Sequence, residues 1–168
     1  MTHLVLVGMM GVGKSTVGRI VAAELDRPLV DSDEMIEART GRTVREIWST
    51  DGEAAFRALE TDMLLEALVA PEASVIAAAG GVVLSDVNRA ALRSADAHVV
   101  WLLADVEVLA ERVRNGTHRP LLDDDPEAVL RTLNEVRAPL YQEVADAVVS
   151  VDHRSPQDVA KAVLRCCG

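Results

Sequence analysis

Aromatic residues are nearly absent from this sequence: Trp48, Phe56, Trp101 and Tyr141 make up the whole 2%. Four scattered rings cannot furnish the stacking platforms that successive nucleic-acid bases need, nor the core of a β-sandwich. Positive charge is also scarce. Against 27 Asp and Glu stand 17 Lys and Arg, a net charge of −10, which excludes broad electrostatic wrapping of DNA or RNA but leaves room for a local basic pocket. Cysteine is limited to the neighbours Cys166 and Cys167. A bridge between adjacent residues would be strained and no second Cys or His cluster lies beside them, so they read as reduced thiols rather than a disulfide or zinc site. No apolar run approaches the ~20 residues of a membrane span, and no basic segment precedes a hydrophobic stretch at the N-terminus. Neither nucleic acid nor membrane is expected as a partner, and the cytoplasm is the expected location.

What the sequence does hold is aliphatic. With 49% hydrophobic and 26% charged residues in 168, one domain spanning 1–168 with a Leu/Val/Ala core is expected. Short β-branched runs at His3–Val7, Pro28–Val30, Val75–Ala78, Val99–Leu103 and Ala147–Val151 are too short for helices. Between them lie helical patterns at Lys14–Leu25, Asp33–Arg39, Thr43–Trp48, Gly52–Leu68, Val87–Leu92, Asp105–Arg114, Pro126–Ala145 and Pro156–Cys166. This alternation predicts an α/β fold, a three-layer α/β/α domain around a parallel sheet of about five strands. Ser155, Pro156 and Asp158 form an N-cap signature at the last helix. Asn115–Asp125 (NGTHRPLLDDD) breaks the helical pattern and reads as a loop that contains Arg119.

The first strand runs into Gly8-Met9-Met10-Gly11-Val12-Gly13-Lys14-Ser15-Thr16, which satisfies the P-loop pattern in its proper strand–loop–helix setting. Glycines let the backbone curl around a phosphate and aim N–H groups at it. Lys14 supplies a positive charge to the β and γ phosphates, Ser15 a hydroxyl oxygen to Mg²⁺, and the helix that starts here turns its positive end toward the anion. The guanine signature Asn-Lys-x-Asp is absent, and the only lysine outside the loop is Lys161. A GTPase is therefore disfavoured. The strand Val75–Ala78 runs into Ala79-Gly80-Gly81 without an acid for Mg²⁺, so the acid must come from elsewhere.

Asp31-Ser32-Asp33 supplies it, at the end of the second strand, and in a parallel sheet the carboxyl ends of neighbouring strands open onto one crevice. One carboxylate can hold Mg²⁺ through water while the other accepts a hydrogen bond from a substrate hydroxyl. The same residues also suit a plain helix start, with Asp33 as N-cap. Farther on, helical spacing sets Arg57 one turn from both Glu53 and Glu60. That pattern fits either a surface ion-pair ladder or a guanidinium fork oriented by Glu60 for a substrate carboxylate.

Taken together, Gly-x-x-Gly-x-Gly-Lys-Ser-Thr, Asp31-x-Asp33, Gly52-Glu53-x-x-Phe56-Arg57-x-x-Glu60, Gly80-Gly81, Arg119-Pro120-Leu121-Leu122 and Arg137-x-Pro139-x-Tyr141 resemble the shikimate kinase family over nearly the whole chain. The resemblance implies a P-loop kinase fold of the nucleoside monophosphate kinase type. It further implies transfer of the ATP γ-phosphate to the 3-hydroxyl of shikimate, on the route to chorismate and aromatic amino acids, with Mg²⁺ as cofactor and a monomeric enzyme.

By the same resemblance Gly11, Val12, Gly13, Lys14, Ser15 and Thr16 bind ATP, and Arg112 and the Arg154–Pro156 segment flank adenine. Asp33 binds ring hydroxyls and accepts the proton, whereas Asp31 joins Ser15 near Mg²⁺ through water. Arg57 and Arg137 clamp the shikimate carboxylate, and Gly80 and Gly81 lend it backbone. Arg119 reaches the transferring phosphate from a lid loop at about 113–125, and the substrate-binding region covers about 33–60. Arg112 also suits simple dipole compensation at a helix end. The family commonly carries a third glycine where this chain has Ala79. Alanine there is mild in an ordinary conformation and costs about 1 kcal/mol or more at positive φ. A gluconate-kinase-like enzyme, a nucleotide kinase and a nucleotide-binding module without kinase activity are the rival readings, each with fewer matching motifs.

Overall fold

The computed structural model describes residues 2–115 and 125–168. Its elements run β1 (His3–Val7), α1 (Lys14–Leu25), β2 (Leu29–Asp31), α2 (Ser32–Thr40), α3 (Val44–Asp51), α4 (Glu53–Leu68), β3 (Val75–Ala77), a 3₁₀ turn (Val82–Leu84) and α5 (Asp86–Ser94). There follow β4 (Ala97–Leu103), α6 (Val106–Arg114), α7 (Pro126–Val144), β5 (Ala147–Ser150) and α8 (Pro156–Cys167). The five strands form one parallel sheet in the order β2-β3-β1-β4-β5, the α/β arrangement that the alternation predicts. Every residue of β1 and β3 is buried, as befits central parallel strands covered by helices on both faces. Leu4, Leu6, Val5 and Val7 thus pack to either side, and the main core follows the sheet from Val75 and Ile76 to Val99 and Val100.

A second, separate cluster matters for the site. Ile36, Ile47, Phe56 and Met63 are buried together, with Met35, Val44, Trp48 and Leu59 against them, which welds α2, α3 and α4 into a unit beside the sheet. Local signals place these helices. Thr43 and Glu46 close a reciprocal capping box at the start of α3. Gly52, at φ 88° and ψ 173°, serves both as C-cap of α3 and as N-cap of α4, so α3 runs on to Asp51 and the two helices join without a linker. Only glycine adopts that conformation cheaply. At the other end of the chain Ser155 Oγ accepts from Asp158 N and Pro156 opens α8, as the cap signature implies. Cys166 and Cys167 are free and exposed. Among the described residues no helix is long and apolar enough to cross a membrane.

Candidate active site

Leu6 and Asp31 both lie in register with Ala77, so β1, β2 and β3 end at one level. Between β1 and β3 the strand order changes direction, which is where an open α/β sheet leaves a crevice. The P-loop enters it from β1. Gly8 takes φ 149°, and a Cβ there would stand 2.6 Å from the Leu102 carbonyl oxygen. Gly13, at φ 101°, begins α1 without a side-chain cap, leaving the first N–H groups of the helix turned toward the loop. Lys14 Nζ donates to the carbonyls of Gly8 (2.8 Å) and Met9 (3.0 Å), which poses the ammonium over the loop. The resulting cleft of about 210 Å³ is lined by Gly11, Gly13, Lys14, Ser15, Thr16, Asp31, Asp33 and the stretch from Ala77 to Gly80.

The two acids take different places at the start of α2. Asp31 is buried and is itself the N-cap of α2: Oδ1 accepts from Asp33 N (3.1 Å) and Glu34 N (3.2 Å), while Oδ2 accepts from the Ser15 hydroxyl. Asp33 is therefore not the helix cap. It sits in the first turn of α2, with its side chain on the wall of the phosphate cleft. Ser15 and Asp31 bring two hard oxygen donors together beside the P-loop, the donor chemistry that Mg²⁺ prefers. Among the described residues no group of three or more His, Cys, Asp or Glu side chains gathers to hold a metal, here or elsewhere.

On the far wall the turn after β3 separates two guanidinium groups. Arg137, on α7, is 1% exposed and stands behind Gly80, where a Cβ would lie 3.5 Å from its Nη1. Its Nε and Nη1 find no hydrogen-bond partner among the described residues. A buried cation in that condition is a strong attractor for an anion. Arg57, on α4, crosses Gly81 so closely that a Cβ there would fall 2.5 Å from Cζ. The guanidinium rests over the rings of Trp48 (5.3 Å) and Phe56 (5.7 Å) and pairs with Glu60, with Glu53 at 3.5 Å. This is no surface ladder, because the Glu60 side chain is only 2% exposed. Burial raises the Glu60 carboxyl above the ordinary glutamate value; Arg57 opposes that rise, Asp33 adds to it and Arg137 opposes it.

A third set of residues gathers on the other side of the P-loop. Arg112 Nη1 donates to the carbonyls of Val12 (3.0 Å) and Gly11 (3.3 Å), so it is tied to the loop rather than merely ending a helix. With Arg154, Pro156, Thr16 and Val151 it lines a cleft of about 230 Å³ that continues from Gly11, Val12 and Gly13. Arg119 lies outside the described residues.

Two residues emerge that the motifs alone did not assign. Tyr141, fully buried against Trp101, donates to the Gly80 carbonyl at 2.5 Å and so anchors the glycine turn to α7, one helical turn from Arg137. Burial pushes its phenol up to about 12, against the pull of Arg137 and Arg57. The Arg-x-Pro-x-Tyr spacing places both side chains on one face of α7, and that was the available signal. Asn88 is the other, and no motif points to it. Ala79 takes no left-handed conformation, since Asp26 and His153 are the only non-glycine residues that do so among those described. Alanine in place of the glycine is thus the mild case.

The family model for shikimate kinase matches residues 10–168. A curated shikimate kinase from Pseudomonas entomophila (strain L48) is 48% identical over 165 residues, covering 98% of this chain and 95% of that protein. Among solved structures, the shikimate kinase from Acinetobacter baumannii in complex with shikimate is 38% identical with a TM-score of 0.94, covering 99% of this chain and 93% of that one. A gluconokinase from Sinorhizobium meliloti 1021 is 20% identical with a TM-score of 0.57, a likeness of fold alone, over 98% of this chain and 90% of that one.

Proposed function

The chain belongs to the shikimate kinase family, and from that premise we propose how its residues share the transfer of the ATP γ-phosphoryl group to the 3-hydroxyl of shikimate. The enzyme is an ATP-dependent kinase, and phosphoryl transfer asks mainly for alignment and charge neutralisation. In this reading the triphosphate lies in the P-loop, with Lys14 beside the β and γ phosphates and the adenine between Arg112 and Arg154. The acceptor carboxylate enters the gap between Arg57 and Arg137, against Gly80 and Gly81. Its ring then reaches toward Asp33, which accepts a hydrogen bond from the attacking hydroxyl. As that oxygen bonds to the γ-phosphorus and the bond to ADP breaks, the hydroxyl proton passes to Asp33.

Ser15 directly and Asp31 through water would hold Mg²⁺, which when bound neutralises charge on the phosphate oxygens. Arg119 carries further charge stabilisation of the transferring group from the segment expected to act as a lid. One domain acting as a cytoplasmic monomer is the assembly that this reading assumes.

The observation that carries the assignment is the buried guanidinium of Arg137, whose Nε and Nη1 have no hydrogen-bond partner among the described residues, beside a glycine turn that Arg57 guards from the other side. A carboxylate-bearing acceptor satisfies both. Coupled ADP release with Mg²⁺ and ATP, compared across shikimate, quinate, gluconate, nucleoside monophosphates and no acceptor, tests it. Turnover with shikimate alone is expected, lost in Asp33→Asn with the fold intact. ADP release indifferent to the acceptor would overturn the assignment.

A further inference from the structure

Asn88 occupies the first turn of α5 and is 2% exposed. Its Nδ2 uses both hydrogens: it donates to the Val82 carbonyl at 2.9 Å and to Thr61 Oγ1 at 3.1 Å. Val82 directly follows Gly81, and Thr61 stands on α4 next to Glu60 and one helical turn from Arg57. One amide therefore ties the exit of the glycine turn to the helix that carries the guanidinium. Asn88 is fixed in its own place as well, because its backbone N–H donates to the N-cap Ser85.

The fit it spans is tight. Arg57 passes across Gly81 with no room for a methyl group between them, so a displacement of a few tenths of an ångström between turn and helix opens or closes the gap. A buried amide here carries a cost, since Asn88 Oδ1 finds no partner among the described residues and a leucine of similar volume would fill the space without one. The two donated bonds are what leucine would not supply.

We propose that Asn88 is a positioning residue for acceptor binding, holding the Gly81 backbone against α4 so that Arg57 and the glycine turn present one fixed gap to the acceptor carboxylate. The inference rests on the reading of Arg57 and Gly81 as carboxylate-binding residues. It makes the acceptor site depend on α5, an element that contributes nothing to the phosphate cleft.

Steady-state kinetics of Asn88→Leu, Thr61→Val, their double variant and Arg57→Ala test it, with folding verified by circular dichroism. Asn88→Leu, which removes both donated bonds, is expected to raise the shikimate KM about 5- to 10-fold, the net worth of about one hydrogen bond passed on to acceptor binding. The KM for ATP should stay within about two-fold, a split that general loosening of the fold would not produce. Thr61→Val should shift the shikimate KM in the same direction by a smaller factor, and the double variant should be no worse than Asn88→Leu, since both cut one clamp. If Asn88→Leu fails to fold, the Thr61→Val result decides. Should Arg57→Ala raise the shikimate KM while the Asn88 and Thr61 variants leave it unchanged, or should both KM values rise together, the positioning role falls and the acceptor reading stands. An unchanged shikimate KM in Arg57→Ala would overturn both.

Discussion

Substituting Gly81 by alanine tests the acceptor site with unusual sharpness, because backbone and side chain pull in opposite directions. Gly81 has φ −86° and ψ 0°, a conformation open to alanine. Restricting the unfolded chain would then stabilise the protein by about 0.4–1 kcal/mol. The new Cβ, however, would stand 2.5 Å from Arg57 Cζ and 2.8 Å from Nη2, against a comfortable carbon–carbon separation of about 3.5–4.0 Å. Nη1 lies nearer still, and the guanidinium, as the far end of a flexible side chain, retreats by roughly 1.5 Å, so the clash is relieved without unfolding. Retreat carries it away from the place proposed for the acceptor carboxylate and off the Trp48 ring. Losing a charge-assisted hydrogen bond is worth about 1.5–3 kcal/mol, or roughly a 10- to 150-fold rise in the shikimate KM. The KM for ATP should not move. Coupled ADP release gives both constants, Trp48 fluorescence reports the ring that Arg57 covers, and thermal melts establish folding. A shikimate KM within two-fold of the parent, in a folded Gly81→Ala protein, would refute the placement of Arg57 at the acceptor.

Other expectations follow from the same geometry. Tyr141→Phe deprives the Gly80 carbonyl of its donor and should cost about 1–2 kcal/mol in denaturant melts, with a rise in the shikimate KM that exceeds any rise for ATP. Because burial holds the Glu60 carboxyl above its unfolded value near 4.5, the ionised form is penalised in the folded state. Its titration therefore contributes stability below pH 4.5 that is lost as pH climbs through the raised folded value. Melts of Glu60→Gln should accordingly gain on the parent as pH rises from 4 toward neutrality, and a constant difference across that range would contradict the burial argument. Arg112→Ala should raise the KM for ATP by roughly 5-fold while sparing shikimate, since its bonds go to P-loop carbonyls. Arg119→Ala should lower kcat far more than it weakens ATP binding, and equal losses in both would remove it from charge stabilisation of the transferring group.

What the sequence determined by itself is the part encoded over short spans. A strand, a glycine loop and a helix in succession specify the phosphate site, because a P-loop is a local conformation of nine residues whose glycines, lysine and serine act on a ligand they surround. Alternating apolar runs and helical spacings likewise announce a parallel sheet, since each element must bury one face or both. The acids at 31 and 33 were legible as a pair, yet which of them caps α2 was not. Asp31 became the helix cap only because β2 ends where α2 begins and Ser15 arrives from another element to meet its second oxygen.

The proposed acceptor site belongs to the tertiary structure. Arg57 could equally have been a solvated ladder until packing of α2, α3 and α4 buried Glu60 and laid the guanidinium across Gly81. Tyr141 and Asn88 act on carbonyls 61 and 6 residues away in sequence, and only the fold brings α7, α5 and the glycine turn within hydrogen-bond distance. Local patterns specify groups that act where they stand in the chain. A gap between two arginines is a distance between elements, and distances between elements are decided by how their cores pack.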